Sequence, residues 1–151
     1  QPVTARTTRL LDPIGEHCQK LLQKRDRNVR KLGRDIENLP EEALHDLRLA
    51  VKKLRYAVDF FESLYPKKQA NAYRKRLAGL QDGLGSLNDV AAADTLLREL
   101  AGSGGNQGPP AWAYTGGVTV GWHCHAAIAD RQSLVKDMTA FLRTKPFWHS
   151  A

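Results

Sequence analysis

The chain has 151 residues, of which 42% are hydrophobic and 26% charged, a balance typical of one globular domain with its own core. No run of about 18 apolar residues is found, which argues against a membrane span, and the first residues show no signal-peptide pattern. The two cysteines, Cys18 and Cys124, do not make a disulfide framework, so we expect a reducing, cytoplasmic compartment.

The net charge of +7 predicts an anionic partner, but it does not choose between nucleic acid, lipid and polyphosphate. The charge is unevenly distributed. Residues 17–76 hold 16 of the 23 Lys and Arg but only 8 of the 16 Asp and Glu. We therefore expect the partner to contact the first half of the chain.

Helical periodicity throughout the chain, with breaks at proline and glycine, predicts an all-α fold: a single domain over residues 1–151 built as a bundle of four long antiparallel helices. The Gly- and Pro-rich stretch 101–110 is predicted to be a mobile loop within this one domain. The helices are predicted at about 3–39, 40–65, 69–100 and 112–144.

The first helix carries a row of basic or titratable residues at alternating spacings of three and four, which places them on one strip of its surface. The row consists of His17, Lys20, Lys24, Arg27, Lys31 and Arg34. Such a row is either a solvated face or a binding surface, and we favour binding because a second basic strip follows on the next helix.

The second helix places His45, Arg48, Lys52, Arg55, Tyr56 and Asp59 on one strip about 100° wide, beside an apolar face. Like charges at these spacings repel, so an anion lying along the strip would explain them. Packing of the apolar faces is expected to bring the two basic strips together. Lys53 falls off the strip and is interpreted as peripheral.

Two features of the third helix predict packing rather than chemistry. Gly79, Gly83 and Gly85 favour close approach of another helix over contact with a ligand. Gln81 and Asn88 are interpreted as interhelical hydrogen-bonding groups.

The fourth helix has Arg131 within its apolar face, so this side chain should be paired. His123 and His125 point about 160° apart on a helix, and we therefore expect no metal site. Phe147 and Trp148 are interpreted as packing aromatics.

The run His45-x-x-Arg48-x-x-x-Lys52-x-x-Arg55-Tyr56 resembles the signature of the CHAD family, the conserved-histidine α-helical domains. The chain also resembles the family's next helix at Leu80-Gln81, Leu84-Gly85 and Asn88-Asp89. It resembles the family's usual end at Pro146-Phe147-Trp148. The resemblance implies an all-helical module of two similar halves whose basic faces line a channel for inorganic polyphosphate. Because its Arg55-Tyr56-x-x-acid form resembles the second half, the chain is similar to one half of such a module.

Polyphosphate offers only charge and oxygen acceptors, which suits guanidinium forks and ammonium groups at helical spacing. A polyanion would also favour protonated histidine, and a tyrosine hydroxyl can donate to phosphate. Asp59 would repel phosphate, so we assign it to holding Arg55 or a cation of the first helix. The candidate polyphosphate-binding residues are His45, Arg48, Lys52, Arg55 and Tyr56 on the second helix and His17, Lys20, Lys24, Arg27, Lys31 and Arg34 on the first.

The favoured function is thus a non-catalytic polyphosphate-binding module that needs no cofactor and no metal. One alternative is a nucleic-acid-binding protein, although Tyr56 is the one aromatic residue in the strips that could stack on bases, so such binding is expected to be non-specific. Another is an accessory domain of an enzyme that hydrolyses triphosphate or polyphosphate. A second copy of the chain would complete the channel, and polyphosphate granules in the cytoplasm are the expected location.

Overall fold

The computed structural model describes residues 14–103 and 110–149, which fold into helices joined by short turns, with no strand in these ranges. The four α-helices are α1 (Ile14–Leu32), α2 (Glu41–Phe61), α3 (Lys67–Ser103) and α4 (Pro110–Arg143). Short 3-10 segments follow α1, α2 and α4, at Ile36–Asn38, Glu62–Leu64 and Phe147–His149. The prediction of an all-α helical bundle is confirmed.

Contacts between the helices show that α3 runs antiparallel to both α2 and α4. Arg55 of α2 donates a hydrogen bond to Gln81 of α3. Glu62, which follows Arg55 in the chain, pairs with Arg74, which precedes Gln81. In α3 and α4 the order is likewise reversed, because Gly83 lies against Leu134 whereas the later Ser86 donates to the earlier Asp130. Gly85, in contrast, has open space where a side chain would stand, so only some of the α3 glycines serve close packing.

The core is formed by residues from all four helices and from the segment after α4. Fully buried side chains include Leu22 of α1, Leu54 of α2, Leu80 of α3 and Phe141 of α4. Phe147 and Trp148 are also buried, and the Trp148 indole N–H donates to Gln23 Oε1 at 3.0 Å. The interpretation of Phe147 and Trp148 as packing aromatics is therefore confirmed.

The first helix ends earlier than predicted. It stops at Leu32 and not at residue 39, and the chain turns at Gly33, a residue type that disfavours the helix. A side chain at position 33 would also crowd the flexible end of Met138 in α4. The chain continues as the 3-10 segment, and the carbonyls of Glu37 and of Leu39, which follows the segment, accept hydrogen bonds from Arg131 at 3.1 and 2.8 Å. The pairing expected for Arg131 is confirmed. The predicted residues 3–13 lie outside the described part of the chain.

The other helix limits are close to the predicted ones. Helix α2 is extended by its 3-10 segment to Leu64, and α3 begins at Lys67. The predicted loop 101–110 is partly wrong, because α3 continues through Ser103 and α4 begins at Pro110, while 104–109 lie outside the described residues. No helix within 14–103 and 110–149 is long and apolar enough to cross a membrane.

A buried polar network joins α1, α3 and the end of α4. Asp26, only 1% exposed, accepts hydrogen bonds from Arg30 Nε at 2.8 Å and from the Tyr73 hydroxyl at 2.6 Å. Arg30 also donates to the carbonyls of Leu142 and Thr144, both at 2.8 Å. Burial, followed by the nearby Asp26, raises the pKa of Tyr73. The network stabilises the bundle from inside and was not identified from the sequence.

Candidate polyanion-binding surface

The outer face of α1 carries most of the first predicted strip. Cys18, Leu22 and Val29 are buried on the opposite side of this helix, which turns the strip away from the core. His17, Lys20, Lys24, Arg27 and Lys31 are exposed on α1. Arg34 is exposed as well, but it lies in the turn after the helix, so its predicted place on the helical strip is wrong.

One open depression extends over α1 to the neighbouring surface of α2. Its basic lining is Lys20, Lys24, Arg25, Arg27 and Lys31 from α1 and Lys53 from α2. Among the described residues that line it, the single carboxylate is Glu16, whose Oε2 is 3.6 Å from Lys20 Nζ. Six cations against one carboxylate make this surface strongly electropositive.

The second strip, on α2, is held in place by contacts of its own. Arg55 Nη1 donates to Gln81 Oε1 of α3 at 2.9 Å, and Arg55 Nε lies 3.9 Å from Asp59 Oδ2. These contacts confirm the interpretation of Gln81 as an interhelical group and of Asp59 as the residue that holds Arg55. Lys52 Nζ lies 5.8 Å from the centre of the Tyr56 ring, and Tyr56 is 60% exposed.

The beginning of the second strip lies in a different groove, between α2 and α3. His45 and Arg48 line it together with Asn88. Three carboxylates line the same groove: Glu41, Glu42 and Asp46. The groove therefore has three carboxylates against two basic residues, Arg48 and His45.

The two grooves share no lining residue among those described. The sequence predicted that the two basic strips would adjoin, but α2 reaches the depression over α1 through Ala50 and Lys53, not through the predicted strip. Lys53, interpreted as peripheral from its helical angle, thus faces the cations of α1. The interpretation of Asn88 as an interhelical hydrogen bonder stays a prediction.

The described residues contain no group of three or more His, Cys, Asp or Glu placed to hold a metal ion. His123 and His125 belong to α4, but their side chains lie outside what the structure describes. Cys18 packs in the core, where burial raises the pKa of its thiol. Neither the depression over α1 nor the groove between α2 and α3 has a cysteine among its described lining residues.

The fold and this surface define an all-α bundle with a basic face along its first two helices. The family model of the CHAD domain matches residues 2–98, more than half of the chain, and the chain belongs to the CHAD family. The matched region includes α1, α2 and α3 as far as Arg98 and leaves α4 outside. It contains all described lining residues of the α2–α3 groove and all those of the depression over α1 except His149. No curated protein and no solved structure was found to match the chain.

Proposed function

We propose that this chain is a non-catalytic binding module for inorganic polyphosphate. The observation that carries the proposal is the depression over α1, with six cations and one carboxylate among its described lining residues. Membership in the CHAD family supports the same ligand, because the family is associated with polyphosphate binding in general.

The geometry suits a linear polyanion. Neighbouring cations three or four residues apart on a helix stand about 5–6 Å from each other, so they form a row of donors along the helix axis. Arg25 and Arg27 can present forked donors to phosphate oxygens, while Lys20, Lys24 and Lys31 act as compact charges.

The lining residues also support binding over chemistry. Metal-assisted hydrolysis of phosphoanhydrides requires clustered carboxylates and a positioned water, and Glu16 at the depression is already paired with Lys20. Recognition of single-stranded nucleic acid uses several aromatic side chains for base stacking, whereas His149 is the one aromatic ring among the described residues that line the depression.

A competition titration at fixed ionic strength tests the proposal. Long-chain polyphosphate competes against single-stranded DNA at equal phosphate concentration, with released phosphate measured in parallel. We expect polyphosphate to be preferred by about tenfold or more without being consumed, because its phosphates are linked directly to one another, so its charges are closer together than those of DNA, where sugars separate the phosphates. Equal affinity for the two polymers would indicate a general basic surface, and release of phosphate would contradict the absence of catalysis.

The proposal extends to a second copy of the chain and to location. Two copies with opposed basic faces would form the channel that the family resemblance implies, and the complex would be found in the cytoplasm at polyphosphate granules. Light scattering with and without polyphosphate tests the first part. A ligand-dependent dimer is the expected result, and a monomer at saturating ligand would contradict it.

A further inference from the structure

The depression over α1 has a lining residue that neither the sequence analysis nor the family match includes. His149, at the end of the 3-10 segment after α4, is exposed and lines the depression together with the α1 cations. The family model ends at residue 98, so the match does not cover this position. The segment after α4 therefore adds a basic side chain to the proposed site.

Trp148 fixes the position of His149. Its ring is 1% exposed and packs edge-on against the rings of Tyr73 and Phe147, at centroid distances of 5.1 and 5.0 Å. Tyr73 is itself held in place, because its hydroxyl donates to buried Asp26. A 3-10 helix has three residues per turn, so the residue after buried Trp148 points about 120° away from it, toward the surface.

The same tryptophan orients Gln23, a half-buried residue of α1 that also lines the depression. An indole N–H can only donate a hydrogen bond, and here it donates to Gln23 Oε1 at 3.0 Å. The carbonyl side of the Gln23 amide is thus turned toward Trp148, and Nε2 with its two N–H donors is on the other side. Within residues 14–103 and 110–149, no side chain or backbone group accepts a hydrogen bond from this Nε2.

Gln23 stands within the row of α1 cations. It follows Lys20 by three residues and precedes Arg27 by four, spacings at which side chains are neighbours on a helix surface. A phosphate that accepts a hydrogen bond from Gln23 Nε2 therefore also lies beside these two cations. The described charged groups that share the depression with His149 are six cations and Glu16, which is paired with Lys20.

We propose that the segment after α4 forms one wall of the polyphosphate site, in which His149 and the Gln23 amide bind a phosphate group of the polymer and Trp148 positions that amide. The inference rests on the proposed function and adds to it two binding residues and one positioning residue. These contacts supplement the basic strips and replace none of their residues.

The first test compares His149→Gln with Lys145→Gln, which removes an exposed cation four residues earlier that lines neither groove. Affinity for polyphosphate is measured at fixed ionic strength at about pH 6 and pH 8, a range over which a histidine loses its charge and a lysine does not. We expect His149→Gln to weaken binding about threefold at the lower pH and by less than about twofold at the higher pH. Lys145→Gln should weaken it by less than about twofold at both.

The second test is a double-mutant cycle that asks whether Trp148 acts through Gln23. Trp148→Phe keeps a buried ring but removes the indole N–H, and Gln23→Ala removes the amide. We expect Gln23→Ala to weaken binding about threefold, and the double variant to bind about as weakly as Gln23→Ala alone, because both changes remove the same oriented donor. Gln132→Ala removes an exposed amide from α4, outside both grooves, and should leave the affinity unchanged.

Circular dichroism and thermal unfolding check that every variant is folded at the temperature of the titrations. Additive losses in the cycle would show that Trp148 contributes only to stability, and would overturn its positioning role. Unchanged affinity in folded His149→Gln and Gln23→Ala would overturn the whole inference while leaving the proposed function standing. Absence of polyphosphate binding by the unmodified chain would overturn both.

Discussion

Helix α2 has a groove on each side, and the two grooves differ in charge. Toward α1, Lys53 faces five cations of that helix and one paired carboxylate. Toward α3, His45 and Arg48 share their groove with three carboxylates. His45 and Arg48, which belong to the run that resembles the family signature, therefore lie in the less basic of these two grooves.

The difference arises from what each helix needs for its own stability. Helix α2 begins with Glu41 and Glu42, and acidic residues in a first turn interact favourably with the helix dipole. The same carboxylates line the groove beside Arg48 and reduce its attraction for an anion. The outer face of α1 has no acidic residue after Glu16, because Asp26 is buried on another side of the helix. A basic surface is thus strongest away from a helix start.

The largest expected effect comes from disrupting the buried polar network around Asp26, which stabilises the helical bundle. Asp26→Ala should lower the free energy of unfolding by about 3 kcal/mol or more, because it leaves the charge of Arg30 and the Tyr73 hydroxyl without their buried partner. Urea denaturation measures the loss. The matched control is Asp94→Ala, which breaks the exposed Asp94–Arg98 pair of the same i,i+4 spacing and should cost less than about 1 kcal/mol. Equal losses would show that the network contributes nothing special.

Substitutions in the depression over α1 should have a smaller effect, and only on binding. Lys24→Ala with Lys31→Ala should weaken polyphosphate binding about tenfold and lower the salt dependence of log affinity by about two, because two neutralised phosphates are lost. Titrations at several salt concentrations measure both quantities.

The control for this pair lies on α4. Lys136→Ala with Arg143→Ala removes two exposed cations that are also seven residues apart, on the side of α4 away from buried Leu134 and Phe141. The same total charge is removed, so the affinity should change by less than about threefold. A loss as large as that of the α1 pair would mean that binding follows net charge and not a particular surface.

The carboxylates of the α2–α3 groove should have little influence on binding. Glu41→Gln with Glu42→Gln should change the affinity for polyphosphate by less than about twofold, because both residues line the groove away from the proposed site, while lowering stability by up to about 1 kcal/mol through the helix dipole. Titration and thermal unfolding measure the two quantities. The control, Asp82→Asn with Asp94→Asn, removes two carboxylates of α3 that line neither groove and should give a similarly small change in affinity. A gain of about fivefold or more confined to the first variant would place the ligand in the α2–α3 groove and contradict the account.

The smallest effect separates two glycines of α3. Gly85→Ala should raise the free energy of unfolding by up to about 1 kcal/mol, because nothing lies within 4 Å of the added methyl group and alanine favours the helix. At Gly83 the added carbon would lie 3.2 Å from Leu134 Cδ1, so crowding against α4 should remove that gain. Equal stabilisation of the two variants would contradict the close packing assigned to Gly83.

Periodicity predicted the features that depend on one helix at a time. It placed α2 and its apolar face correctly, and it found the cations of α1 from their spacing. It did not predict the end of α1 at Leu32, because a single glycine within a periodic pattern, such as Gly33, does not by itself show whether the helix continues. It also could not assign Lys53, since the angle of a residue on α2 does not say which neighbouring helix that flank faces.

The most direct test of the central claim is a titration of isotope-labelled protein with a short polyphosphate chain, followed through backbone amide chemical shifts in NMR spectra. We predict that the largest shift changes lie along α1 from Lys20 to Lys31 and at Lys53. Largest changes confined to His45, Arg48 and Asn88 would place the ligand in the α2–α3 groove and contradict the account.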